Sequence, residues 1–416
     1  MDMKQLVIKN VGPIRQVDIK LNRFNFFIGP QSSGKSTVAK ILSSCMWLEK
    51  EVLTTLNDKV LADGAAFVRL VESFHKIEGY FEDSSFVQYD TDFISILYNN
   101  MDIKITRKEN EDYHREKICY IPAERNMVTL PELQGFEFGH TNIRSFLFDW
   151  FNAREFFVAG NKTDVLNLGV KYYYDSEQSK IKDRIENVNG RTYQIALSTA
   201  SSGLQSLTPL VVMLQYYTDE YFRSYHEKAS FNTYNRTRKA DVFLYDKYVL
   251  NKVKPNFTEE ERANLLEKIR NGIFKGNHSY HKLLYNYHTA LYNLKTPEKS
   301  SFIIEEPEQN LYPSTQMDLL DLVVERCNGE RKHHCTITTH SPYILNQLNL
   351  LVKRFDVGAT DCAALNWEEI SVWAVKDGEV RDLKVRNAHL INPEYLSEPL
   401  DRIYEEYEQY ETTTGE

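Results

Sequence analysis

Cysteine is scarce in this chain. Five occur in 416 residues, Cys45, Cys119, Cys327, Cys335 and Cys362, odd in number and irregularly spaced. That excludes a disulfide-stapled secreted scaffold and fits free thiols in a reducing compartment, so a cytoplasmic location is expected. No run of about 18 apolar residues occurs, which leaves no candidate membrane span and no membrane partner. The opening MDMKQLVIKN is a charged, alternating strand and not an apolar leader. An excess of positive charge is also missing. At a formal net charge of −9 the surface as a whole does not advertise nucleic-acid binding, and any such contact would need a local basic patch. Internal repeats, low-complexity segments and long coiled-coil arms are absent as well.

What remains is a globular composition, 42% hydrophobic and 26% charged, at a length that suggests about two or three domain-sized units. QLVIKN and VDIKL alternate, and NFFIG is nearly all apolar, as a buried parallel strand is; a helix is expected from Lys35 to near Glu51. A helix near 60–77, strand pairing near 86–107, a buried strand at KICYIPAERN (117–126) and an aromatic helix at RSFLFDWFNAREFF (144–157) follow. VKYYYD (170–175) and RTYQIAL (191–197) read as a pair of strands. Residues 218–299 form a polar, Tyr-rich, mainly helical insert, with a capping box at Thr258 and Glu261 opening a helix over 258–274. SSFIIEEPEQ and CTITTHS are further strands around the helix STQMDLLDLVVERC, and ISVWAVKDGEVRDLKV is a hairpin turning at Asp377-Gly378. A helix near 395–410 closes the pattern. The fold class is therefore α/β, with a mostly parallel sheet, an antiparallel part and a helical insert. The core is split into 1–217 and 300–416, with a helical lobe, which carries TASSGLQSL, expected at about 122–217.

The most specific motif is GPQSSGKST, comprising Gly29, Pro30, Gln31, Ser32, Ser33, Gly34, Lys35, Ser36 and Thr37. It matches G-x-x-x-x-G-K-[ST], with an apolar strand before it and a helix after it. The glycines let backbone N–H groups turn toward phosphate oxygens, and the helix start adds its positive dipole end. Lys35 is placed for β- and γ-phosphates, and the Ser36 hydroxyl for Mg²⁺. ATP and Mg²⁺ are the cofactors this implies.

FIIEEPEQ supplies two adjacent carboxylates at a strand end. Successive side chains there diverge, so Glu305 can serve the metal while Glu306 orients or deprotonates water. TITTHSPYIL places His340 at another strand end, within reach of a γ-phosphate or the attacking water. TASSGLQSL (199–207) breaks from a polar loop into a helix; Ser201 or Ser202 is its N-cap, and the helix start is an anion site.

The order GPQSSGKST … TASSGLQSL … FIIEEPEQNLYP … TITTHSPYIL resembles ABC-type ATPases of the RecF/SMC-like branch, and more narrowly bacterial ATPases related to the OLD (overcoming lysogenization defect) family, including subunits of anti-phage systems such as Septu and PARIS. The resemblance covers about 1–60 and 300–390 plus the short middle motifs. It implies that Gly29–Thr37 is Walker A, Glu305 the metal-side acid, Glu306 the catalytic acid and His340 the switch histidine. It also implies that Ser202 and Gly203 form a signature that caps the nucleotide of a partner protomer, in a homodimer or higher homo-oligomer. The chain departs from the pattern at Glu305, where Asp is usual, and at SSGLQS in place of LSGGQ. IPAERN has no Gln where a Gln-bearing loop is expected, which leaves Arg125 as a candidate polar contact near the nucleotide.

The resemblance implies an ATPase subunit that controls a separate effector, a nuclease or toxin, in trans; the 76 residues after His340 are too few for an appended nuclease domain. The alternatives are a RecF/SMC-like repair or chromosome-maintenance ATPase, marked by DNA-stimulated turnover, a transporter motor subunit, and a nucleotide-locked scaffold. Other features read as structural. The Cys327/His333/His334/Cys335 group lacks zinc spacing, the tyrosines of 280–292 lie on an amphipathic face, and the basic residues of 222–239 fit a solvated surface. The stripe Leu400, Ile403, Tyr404, Tyr407 is expected to dock on its own domain, with a partner surface as the other option.

Overall fold

The computed structural model describes residues 4–110, 112–130, 139–177, 182–228, 238–253, 258–261, 264, 278–396 and 398–413. Three strands open the chain: β1 (Lys4–Val11), β2 (Ile14–Leu21) and β3 (Phe24–Ile28). Helix α1 (Lys35–Thr55) follows, then α2 (Gly64–His75), whose Asp63 cap accepts from the Ala66 N–H at 2.8 Å. The expected pairing near 86–107 consists of three strands, β4 (Phe81–Asp90), β5 (Ile94–Asn99) and β6 (Asp102–Arg107). Next come β7 (Glu116–Ile121) and α3 (Asn142–Arg154).

A separate four-stranded sheet contains β8 (Thr163–Asp164), β9 (Val170–Tyr174), β10 (Asp183–Asn187) and β11 (Tyr193–Ala196). The expected pairing of 170–175 with 191–197 is corrected here: both strands pair antiparallel with β10, which lies between them. DRIEN holds three charged residues in five and hides its strand character, but Ile185 fills the core and Asp183 is held by Arg154 at 3.0 Å and Tyr172 at 2.6 Å.

Helix α4 (Ser202–Gln215) passes through a π turn, Tyr216–Glu220, into α5 (Tyr221–Lys228), so the chain crosses 217–218 inside continuous helix. Within 218–299 lie α6 (Arg238–Tyr245) and α7 (His278–Lys295). Tyr287 and Leu294 of α7 pack on Ala240, Leu244 and Val249 with Leu283, Leu284 and Leu291 beside them, so that face is core, whereas Tyr285 and Tyr292 are 71 and 55% exposed. The Thr258–Glu261 capping box forms, with the Glu261 N–H 3.3 Å from Thr258 Oγ1; most of the helix expected at 258–274, and Arg236 of the basic run, lie outside the described residues.

The remaining elements are β12 (Lys299–Glu305), α8 (Pro313–Cys327), β13 (His334–Thr339), α9 (Pro342–Asp356), β14 (Ile370–Lys376), β15 (Glu379–Asp382) and α10 (Glu398–Thr413). Eleven strands form one sheet in the order β6-β5-β4-β1-β2-β15-β14-β3-β13-β12-β7. From β14 to β7 every pairing is parallel, whereas the wing from β6 to β2 is antiparallel and continuous with it. The β14–β15 hairpin turns at Asp377 (φ 52) and Gly378 (φ 78), a pair of left-handed residues that matches the twist of the strands.

Strand parity divides the core. Phe24, Phe26 and Ile28 face one cluster with α3, α4 and α8, while Phe27 faces α1 through Val38 and Ile41. In the same way Phe302 and Ile304 enter the first cluster, and Ile303 meets Ala39 of α1 and Tyr120 of β7. Glu305 therefore inherits the α1 face. Burial on both faces is why FFI of β3 and FII of β12 read as short apolar runs, with Asn25, Ser300 and Ser301 buried beside them. No helix among the described residues is long and apolar enough to cross a membrane.

The docking expectation for the closing helix is corrected: Ile403, Tyr404 and Tyr407 are 58, 67 and 60% exposed. Helical periodicity puts these side chains on one face, with the acids opposite, and at this exposure the face keeps most of its contact with solvent.

Candidate functional site

β3 ends at Ile28 and α1 begins at Lys35, so residues 29–34 form a loop at the carboxyl edge of the parallel strands, where α/β sheets bind ligands. Steric demand explains both glycines. A Cβ on Gly29 would sit 2.1 Å from the Val375 carbonyl oxygen, and Gly34 adopts φ 102 with Ile14 Cδ1 2.4 Å from where its Cβ would be. The tip, Pro30 to Ser32, is exposed, while Ser33, Gly34, Lys35 and Thr37 are buried and Ser36 is half-buried. Ser33 Oγ is buried without a hydrogen-bond partner, an orphan that a phosphate oxygen would satisfy.

Lys35 Nζ donates to the carbonyls of Gly29 (3.0 Å) and Pro30 (2.8 Å) and points at His340 Nδ1, 3.3 Å away. An ammonium can only donate, so Nδ1 accepts and the ring proton belongs on Nε2. That nitrogen lies 3.1 Å from Glu306 Oε1. Burial pushes Lys35 down to about 8 against the opposing pull of Glu306 and Glu308. The His340 hydrogen bond holds Glu306 below its ordinary carboxylate value despite partial burial. Strand β13 lies between β3 and β12, which is what brings a histidine at its end between a lysine and a glutamate from its two neighbours.

Glu305 and Glu306 separate as expected, with an added twist. Glu305 points to the α1 face and accepts from the Tyr120 hydroxyl; burial raises it to about 7, with Lys40 first and then Ser36 opposing. Glu306 leaves the strand in a left-handed conformation, φ 44, its N–H donating to the Thr338 carbonyl at 2.9 Å. A non-glycine residue in this region is uncommon and marks a turn held by its surroundings. The oxygens of Ser36 and Glu305 are donors suited to a hard cation such as Mg²⁺.

Ser202 and Gly203 open α4. Ser201 is the N-cap of α4, accepting from the Leu204 N–H at 3.4 Å, and Ser202 is exposed. A Cβ on Gly203 would come within 3.1 Å of the Asn310 carbonyl oxygen, so this helix start sits against the turn after the acids of its own chain. Gln205 braces the preceding loop, donating to Ser198 O (3.0 Å) and Ala200 O (2.9 Å).

Three residues take parts that the motifs did not assign. Glu308 Oε1 accepts from the His340 N–H at 2.6 Å, and Tyr120 holds Glu305. Arg125 does not face the cleft as expected. It is fully buried, and its donors go to backbone carbonyls of the acidic turn and α4. The spacing of IPAERN offered no sign of this, because its partners are main-chain atoms about 80 and 180 residues away. The Cys/His group likewise resolves into packing: Cys327 and Cys335 are buried in the core, His333 bonds backbone atoms and His334 lies 3.3 Å from Glu116.

Fold and loop together define a phosphate-loop α/β protein, with a lysine, a histidine and two acids at the strand ends. No family model matches the chain, and no curated protein matches it. Among solved structures it is similar to the SMC head domain from Thermotoga maritima, at 10% identity over 92% of this chain and 98% of that one, TM-score 0.38. It is also similar to an Smc head domain with an extended coiled coil, bound to the C-terminal domain of ScpA, from Pyrococcus furiosus (12% identity, 97% and 100% coverage, TM-score 0.38). A third is the recombination mediator protein RecF (10%, 92% and 98%, TM-score 0.31).

Proposed function

We propose that this chain binds and hydrolyses ATP as an ABC-type enzyme. The observation that carries the reading is the contiguous line Lys35–His340–Glu306 above a phosphate loop, with Ser36 and Glu305 together on the opposite side. Loop amides and the start of α1 bind the phosphates, and Lys35 exchanges the carbonyls of Gly29 and Pro30 for phosphate oxygens. When bound, Mg²⁺ supplies charge that offsets those oxygens, and Ser36 and Glu305 are the residues that hold it. Glu306 orients the attacking water and takes its proton, while the Nε2–H of His340 fixes the carboxylate's direction.

In this proposal two copies pair head to tail, and Ser202 and Gly203 of one cap the nucleotide of the other. Ser202 at the start of α4 is exposed, beside the acidic turn of its own chain; a helix N-terminus suits an anion, and two-fold pairing makes two such sites from one surface. On the motif order we further propose that the assembly is the sensing ATPase of an anti-phage system and controls a separate nuclease or toxin.

Glu306→Gln tests the chemistry. The variant is expected to bind ATP with near wild-type affinity and to lose about 10²- to 10⁴-fold in kcat. Turnover at the wild-type rate would exclude Glu306 as the base. Purification of the intact chain with the product of its neighbouring gene, followed by an ATP-dependent nuclease or toxicity assay, tests the effector; a permease at that position would favour transport instead.

A further inference from the structure

We infer that Arg125 is a positioning residue that couples the acidic turn to the start of α4, so that a change at one nucleotide site reaches the surface proposed to cap another. The functional consequence rests on the ATPase reading; the coupling itself rests on geometry alone. The guanidinium is fully buried, and all five of its N–H donors have backbone carbonyl acceptors. Nε donates to Ser206 O at 3.0 Å, in the second turn of α4. Nη1 donates to Glu305 O at 2.9 Å and Pro122 O at 3.5 Å, and Nη2 to Glu306 O at 2.9 Å and Pro307 O at 3.1 Å.

Three consecutive carbonyls of the acidic turn and one of the helix are thereby fixed to one rigid plane. The geometry includes the peptide of Glu306 at φ 44, the residue with least reason to hold its conformation unaided. No carboxylate accepts a hydrogen bond from this cation; Glu306 and Glu308 balance its charge only through space. A buried charge bonded to main chain alone is an inefficient way to add stability. It is an effective way to make two segments move together. A second link runs parallel to it, from Asn310 Nδ2 to Ser206 Oγ at 2.9 Å. Pro209 lies in the same helix and removes one N–H from its ladder, so the first turns of α4 depend more on these outside contacts. Lysine retains the charge at this position but cannot span the two segments, because its donors radiate from a single atom.

The test uses the full chain carrying Arg125→Lys, with backbone hydrogen exchange read without nucleotide and steady-state kinetics read with ATP. Exchange is expected to rise at least tenfold in both 203–206 and 306–310. In the kinetics kcat should fall at least tenfold at unchanged KM, and binding of a fluorescent ATP analogue should stay within about threefold of wild type. Faster exchange in the turn but not in α4 overturns the coupling, whether or not the protein hydrolyses ATP. Parallel loss of affinity and kcat in a folded variant makes Arg125 merely structural. Should Arg125→Lys not fold, Asn310→Ala at an exposed position reads the same joint: faster exchange in both segments supports the coupling, and wild-type exchange overturns it. A wild-type chain that binds no ATP would refute the ATPase reading while leaving the exchange result standing.

Discussion

His333 should make this protein acid-labile in a defined window. The ring is 1% exposed, beside Phe222 and Phe302. Its Nδ1 accepts from the Ser300 N–H at 2.9 Å, and its Nε2–H donates to the Thr218 carbonyl, also at 2.9 Å. Both bonds require the neutral Nε2–H tautomer, and together they tie the start of β12 to the π turn after α4. Burial pushes the imidazole from 6.5 down to about 4. The unfolded chain therefore binds the proton more tightly than the folded one. The stabilisation is complete above about pH 6.5 and is lost as pH falls toward 4, which at about 1.4 kcal/mol per pH unit costs about 3 kcal/mol. Urea-unfolding midpoints of wild type and His333→Gln, compared from pH 7.5 to 4.5, isolate this contribution. At pH 7 the variant should be less stable by about 1–3 kcal/mol, since the Ser300 N–H loses its acceptor. By pH 4.5 the gap should close or reverse. A gap that stays constant across the window would refute the argument, as would a His333 ring resonance that titrates near pH 6.5.

His340→Ala should lower kcat by about 10²-fold with little change in KM, because it removes the group that steers Glu306 and leaves the phosphate loop intact; steady-state kinetics decide, and a KM effect alone would reassign the histidine to binding. Ser202→Arg should leave binding of a fluorescent ATP analogue intact while abolishing ATP-dependent dimerisation in light scattering together with hydrolysis; unchanged hydrolysis would remove α4 from the site. Gly378→Ala should cost about 1–3 kcal/mol in a thermal melt, since a Cβ at φ 78 would come within 2.7 Å of the Pro13 carbonyl oxygen; an unchanged melt would show that the turn relaxes freely.

Much of the parallel core was legible because its strands are buried on both faces and carry short apolar runs, while the phosphate loop is compact in sequence. NFFIG and FIIE declare themselves, and Gly29 to Thr37 need only the loop they already occupy. Strand β10 was not legible, since Arg184 and Glu186 are only half-buried, Glu186 paired with Lys162, and Asp183 is buried only because Arg154 and Tyr172 meet it. The stripe of α10 misled for the opposite reason: helical periodicity shows which residues share a face but not whether anything covers it.

By itself the sequence determined the kinds of groups at the site: a phosphate loop, a pair of acids at a strand end and a histidine at another. Their spacing is local, and local backbone chemistry suffices to set it. Only the tertiary structure decided which of these groups touch. The placement of β13 between β3 and β12 puts His340 between Lys35 and Glu306. Strand parity sends Glu305 toward Ser36 and Tyr120, and Arg125 becomes a brace because three distant carbonyls and a helix converge on it. Main-chain atoms carry no residue identity, so no pattern of side chains could have announced that convergence.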